Sequence, residues 1–158
     1  MDRDEVSLLL RAGLLTGIID GLFSIVLSVA FYGSTVTRLF QGVASVLFGP
    51  KVLEGGLSTA VVGVLMHFGV AFAWSAVFVL LVMRVPRIRG LLASPLGVVE
   101  VAALYGPLIW LVMSLAVIPL LTHRPPSITV RWWVQLIGHV PFVALPIVAS
   151  VARGLAPR

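Results

Sequence analysis

Residues 63 to 83 read GVLMHFGVAFAWSAVFVLLVM. No acid, lysine or arginine interrupts them, and about 20 such residues carry a helix across the hydrocarbon core of a bilayer. A run of this kind fixes the solvent first. In lipid every backbone N–H and C=O must be satisfied internally, which leaves only helices or closed barrels. Three more runs share this character, so spans are expected at roughly 6–32, 57–83, 95–121 and 130–152. Gly33-Ser34 ends the first and Glu54-Gly55-Gly56 opens the second. RVPRIRG, from Arg84, closes the second, and THRPP, from Thr122, separates the third from the fourth. The expected fold is all-α: a four-helix transmembrane bundle forming a single domain over residues 1–158.

Composition agrees. The chain is 59% hydrophobic and 11% charged, where a soluble domain carries about 25% charged residues, and its mean hydropathy is +1.13. It has no cysteine, which excludes disulfides, thiolate metal sites and redox thiols. A net charge of +5 would suit nucleic acid. With so little chain outside the spans, however, the arginines are better spent on topology and anionic headgroups. The expected partner is the lipid bilayer, not nucleic acid. Ser28-Val29-Ala30 faintly resembles a signal-peptidase site, but MDRDE is net acidic, the apolar run is too long and Asp20 interrupts it. The first segment therefore reads as a retained helix.

A shorter segment, TVTRLFQGVASVLF at 35–48, places Val36, Leu39, Phe40, Val43 and Leu47 on one helical face. Thr37, Arg38, Gln41 and Ser45 fall largely on the other, and Gly49-Pro50 stops it. Too short to span, it is expected to be an interfacial amphipathic helix between spans one and two. The alternative is an extramembrane helix packed on the bundle. Arg3, Arg84, Arg87, Arg89, Arg153 and Arg158 fall on one side of the membrane, against Arg38, Lys51, Arg124 and Arg131 on the other. The positive-inside rule then puts both termini in the cytoplasm of a bacterial inner membrane. Tyr32, Trp132 and Trp133 fall at the outer interface, where aromatic belts form. Pro107, Pro119, Pro141 and Pro146 bend spans three and four. They leave either an irregular bundle with a cavity or static kinks filled by neighbours.

The polar residues inside the spans carry whatever chemistry there is. Counting depth at about 1.5 Å per residue puts Asp20, His67 and His139 near the midplane, within about one helical turn of each other. In span one Thr16, Asp20, Ser24 and Ser28 step by four into a polar stripe, which must face protein or water. Gln135 and His139 do the same in span four. Gly13, Gly17 and Gly21 form a small-residue stripe that lets another helix, including one from a second copy or a complex partner, approach closely. An ionisable group at the bilayer centre costs about 2.5–3.5 kcal/mol, so Asp20 is expected to cluster with His67 and His139. Three roles are open to such a cluster. It is a hydrogen-bonded contact that fixes helix register, as in a structural or accessory subunit. It is part of a proton-linked or small-solute pathway, with Thr16, Ser24 and Gln135 beside it. Or His67 and His139 are the ligands of a haem or metal. Arg11 and Glu100 share a depth and suggest an intramembrane ion pair, or Arg11 snorkels alone. Gly-rich phosphate loops, HExxH and GxSxG are absent, and His123 reads as a solvated loop residue. The chain is not evidently an enzyme.

MHFGVAFAWSAVFVLLVMRVPRIRG, then MSLAVIPL from Met113, then GHVPF from Gly138 resemble the YagU-like family of uncharacterised bacterial inner-membrane proteins. The likeness covers roughly residues 60 to 145. Its matched positions are His67, Met113, Pro119, Leu120, Gly138 and His139. RLFQGVASVLFGPKVLEGG, from Arg38, also looks like a segment of related small membrane proteins, whereas residues 1 to 59 as a whole depart from the family's pattern. The resemblance implies a four-helix inner-membrane fold and brings no activity with it.

Overall fold

A computed structural model describes residues 3–155. Arg158 and the side chain of Arg3, both counted in the topology argument, lie outside the described residues. Among the described residues four helices are long and apolar enough to cross a membrane: α1 (Glu5–Phe31), α3 (Gly56–Arg84), α5 (Pro95–Thr122) and α6 (Val130–Leu155). Two shorter ones, α2 (Val36–Phe48) and α4 (Pro86–Leu91), join them. The chain is a multi-pass all-α membrane protein, and its span boundaries fall within about three residues of those expected from hydropathy.

Neighbour relations follow from where glycine removes side-chain bulk. α1 packs on α3 and α6, and α5 packs on α6. α3 and α5 meet through side chains: the Tyr105 hydroxyl donates to the Trp74 carbonyl at 2.7 Å, and the Tyr105 and Phe78 rings lie 4.9 Å apart. A Cβ on Gly106 would lie 2.7 Å from the carbonyl oxygen of His139, so α5 and α6 touch backbone to backbone at that level. The half of the bundle nearest the termini is dry and close-packed around Phe78, Val79, Tyr105, Ile109, Ile147, Val148 and Val151.

Two of the prolines follow π turns, whereas Pro107 lies in regular α-helix and the π turn at Leu27–Phe31 in α1 has no proline. Met113–Val117 in α5 and Val140–Ala144 in α6 are π-helical turns. Pro119 and Pro146 each lack an N–H, and their rings clash with the carbonyl four residues back, at Leu115 and Phe142. Widening the turn by one residue relieves that clash. Both π turns lie beside the same cavity, which Met113, Ile118 and Val143 help to line.

α2 starts at Thr35, whose hydroxyl accepts from the Arg38 N–H. It is amphipathic, as its sequence predicts, and packs across the start of α3. Buried Gln41 donates to the Gly56 carbonyl at 2.9 Å and to the Thr59 hydroxyl at 3.2 Å. Gly63 lies under the Phe40 carbonyl, where a Cβ would collide with it. α2 also touches α1 and the end of α5, so it lies over the bundle end opposite the termini. Leu47 and Phe48, at its last turn, are exposed.

Candidate functional site

Three of the spans bring polar side chains to one place. Thr16, Asp20 and Ser24 of α1, His67 of α3, and Gln135 and His139 of α6 line a single cavity of about 160 Å³. Trp74, Ile109 and Trp110 complete much of its wall. At roughly 30 Å³ per molecule the space suits about five waters.

Local sequence explains the convergence. Gly13, Gly17 and Gly21 turn toward α3, where Phe72, Phe68 and His67 fill the space their missing Cβ atoms leave. That closeness lets the His67 Nε2 reach the Gly17 carbonyl at 2.9 Å. The glycine stripe was a candidate surface for a second copy or a complex partner. It is occupied within the chain instead, because the α3 rings stand in its grooves. On α6, Gly138 makes room for Phe23, which stacks on Phe142 at 4.3 Å and fixes the helix rotation that turns His139 inward.

Hydrogen-bond roles assign the tautomers. A carbonyl only accepts, so His67 donates from Nε2 to Gly17. When neutral, its Nδ1 is then a bare lone pair. That nitrogen faces the Asp20 Oδ2 at 3.9 Å, with side-chain exposures of 13% for His67 and 19% for Asp20. A carboxylate also only accepts. At 3.9 Å the two lone pairs make no hydrogen bond, and either a proton on one group or a water between them bridges the gap. His139 donates from Nδ1 to the Gln135 carbonyl at 2.7 Å, and its ring lies 4.8 Å from that of Trp110. The His139 Nε2 has no protein partner among the described residues.

Three more polar atoms on this cavity are buried without a protein partner: the Thr16 Oγ1, the Asp20 Oδ1 and the Trp110 Nε1. Each costs about 1–3 kcal/mol if left dry. The three atoms are turned into the packed wall, so water or a polar solute removes that cost once a side chain shifts.

The two ends of the cavity differ. Toward the termini lies the packed core around Phe78 and Tyr105. Toward the other end lies a wider vestibule of about 540 Å³, which shares Trp110, Ile118 and Gln135 with the cavity. It continues to the 124–131 segment and to Ser45 on α2. Trp110 stands between His139 and Trp132, 4.8 and 6.1 Å away between ring centres.

Two other expectations come out differently. Arg11 and Glu100 do not meet. Arg11 lines a groove with Ser150 and Arg153 of α6, and Glu100 is exposed on α5, which is not packed against α1. Shared depth did not imply adjacency. A bis-histidine ligand set does not fit the residues either. His67 uses Nε2 on a backbone carbonyl and its remaining nitrogen, Nδ1, faces Asp20, so no contact in the structure pairs it with His139. Among the described residues no group of three or more His, Cys, Asp or Glu is placed to hold a metal ion.

Trp74, Trp110 and Ile118 line the cavity without having been singled out from sequence, since an apolar residue facing a cavity carries the same letter as one facing lipid. No protein-family model, curated protein or solved structure matches the chain. The likeness to the YagU-like family rests on its short motifs alone.

Proposed function

We propose that this protein handles protons, alone or together with a small polar solute, at the Asp20–His67–His139 cavity. The observation that carries this reading is the opposition of Asp20 and the His67 Nδ1 at 3.9 Å, beside a cavity whose polar atoms lack protein partners. The pair exchanges one proton with that cavity. The unbonded His139 Nε2 is the next acceptor, through water or a solute. The vestibule is the route in, and the packed core near the termini is the barrier that must rearrange for passage to the other side.

The arginines support a topology with the termini in the cytoplasm of a bacterial inner membrane. Arg84, Arg87 and Arg89 crowd the short connection between α3 and α5. On that topology the vestibule opens away from the cytoplasm. The likeness to the YagU-like family points to the same membrane.

The test is an acid jump on proteoliposomes holding a pH-sensitive dye, with the membrane potential clamped by potassium and valinomycin. Wild-type protein should acidify the lumen faster than protein-free vesicles do, and Asp20→Asn should remove the excess. Asn keeps the size and the hydrogen bonding of the side chain, so the bundle stays intact while the titrating group is gone. Equal rates for wild type and Asp20→Asn, or no excess for either, would refute proton handling at this pair.

A further inference from the structure

We propose that the vestibule is a binding site for an oxyanion, a carboxylate or phosphate group held between Arg124 and Arg131. The argument starts from what lines it. Arg124 and Arg131 both line a space of about 540 Å³, and none of its lining residues is acidic. Arg131 is held in place from behind: one N–H group bonds the Ser28 hydroxyl at 3.0 Å, and the guanidinium lies 4.7 Å above the Tyr32 ring. That uses one of its five donors and leaves the others unspent. Arg124 has no protein partner among the described residues. Two cations lining one space repel each other, and an anion between them turns both interactions attractive.

The deeper wall narrows the chemistry. Trp132 and Ser114 are 7% and 8% exposed, and the Trp132 Nε1 and the Ser114 Oγ have no protein partner. The Nε1 of Trp110, shared with the inner cavity, is likewise unpartnered. An indole N–H and a guanidinium donate and never accept. The two arginines and the two indoles supply donors alone, which favours a ligand rich in acceptors such as an oxyanion. Pro119, Pro125 and Pro126 on the same vestibule offer apolar surface to whatever body the anionic group carries. A free organic carboxylate and an anionic lipid headgroup share this chemistry. The site does not depend on what Asp20 does, so its failure and the failure of proton handling are separate results.

The test uses the full chain, labelled with ¹⁵N-tryptophan, in maltoside micelles that contain no oxyanion. The indole N–H signals of Trp132 and Trp110 are followed while sodium benzoate or dihexanoyl phosphatidylglycerol is added, with sodium chloride at matched ionic strength as the control. Saturable movement of the Trp132 signal is expected, with the dissociation constant rising at least tenfold in Arg124→Gln and in Arg131→Gln. Saturation by benzoate assigns a free carboxylate, and saturation by the lipid alone assigns a headgroup; both support the site. Arg131→Gln also loses the bond to Ser28, so Arg124→Gln, which breaks no contact within the protein, is the cleaner variant. No saturable change with either probe overturns the proposal. So does a change that survives both substitutions.

Discussion

The backbone contact between α5 and α6 offers a sharp test of how the cavity is held. A Cβ on Gly106 would lie 2.7 Å from the His139 carbonyl oxygen and 2.8 Å from its carbonyl carbon and from the Val140 nitrogen. All three are backbone atoms, so no side-chain rotation relieves the clash. Restoring an ordinary contact of 3.4 Å requires α5 and α6 to separate by about 0.7 Å, and overpacking of that kind costs about 1–3 kcal/mol. Against this, alanine gains about 0.8–1 kcal/mol over glycine inside a helix. Gly106→Ala should therefore be destabilised by up to about 2 kcal/mol. Gly69 is the control: it lies inside α3, and a Cβ there meets nothing within 4 Å. Gly69→Ala should be neutral or up to about 1 kcal/mol more stable. The assay is unfolding of the two variants and wild type in mixed micelles by increasing mole fraction of dodecyl sulfate, followed by circular dichroism. The same variants should differ in tryptophan emission, because moving α6 outward at His139 separates that ring from Trp110, 4.8 Å away. If Gly106→Ala unfolds together with Gly69→Ala and keeps the wild-type emission, the backbone contact does not position His139 and the reasoning fails.

Two further substitutions test the route and the cover. Ile118 lines both the inner cavity and the vestibule, so Ile118→Trp should close the passage and slow acidification of proteoliposomes toward the protein-free rate, while the bundle loses no more than the roughly 1–3 kcal/mol of an overpacked site; an unchanged rate in a folded variant rules out entry by this path. Gln41→Leu removes the two bonds from α2 to Gly56 and Thr59, a loss of about 1–2 kcal/mol. Trypsin cleavage after Arg38 and Lys51, which flank and enter this region, should then quicken by about 5–30-fold, and unchanged cleavage means that α2 is held by its apolar face alone.

What the sequence made legible, and what it did not, divides along one geometric line. Depth is readable because a helix rises by a fixed amount per residue. Asp20, His67 and His139 could be placed at one level by counting, and they line one cavity. Rotation is partly readable, because Thr16, Asp20 and Ser24 recur at steps of four and must avoid lipid. The order of helices around the bundle is not readable, since an apolar span gives no sign of which neighbour it prefers. That is why Arg11 and Glu100, matched in depth, sit on helices that do not pack together. It is also why the Gly13–Gly17–Gly21 stripe was open to an external partner until Phe72 and Phe68 were seen against it. The contact of Arg131 with Ser28 spans 103 positions. Nothing local to either residue announces it, and with it the vestibule went unseen.

The prolines join these levels. Proline inside a spanning helix costs stability unless a neighbour or a local change of winding absorbs the lost bond. Here α5 and α6 each carry a π turn close before a proline, and residues of both turns line the polar cavity. A regular helix in the same place would close ranks, as the half of the bundle toward the termini does around Ile147 and Val148. The space beside Asp20 therefore follows from local backbone chemistry that is written in the sequence. Gly106 and Gly138 then decide how closely the bent helices approach their neighbours. Straightening one helix by Pro146→Ala should shrink the cavity while preserving every polar side chain around it. Proton uptake that survives such a variant would have to run somewhere other than this cavity.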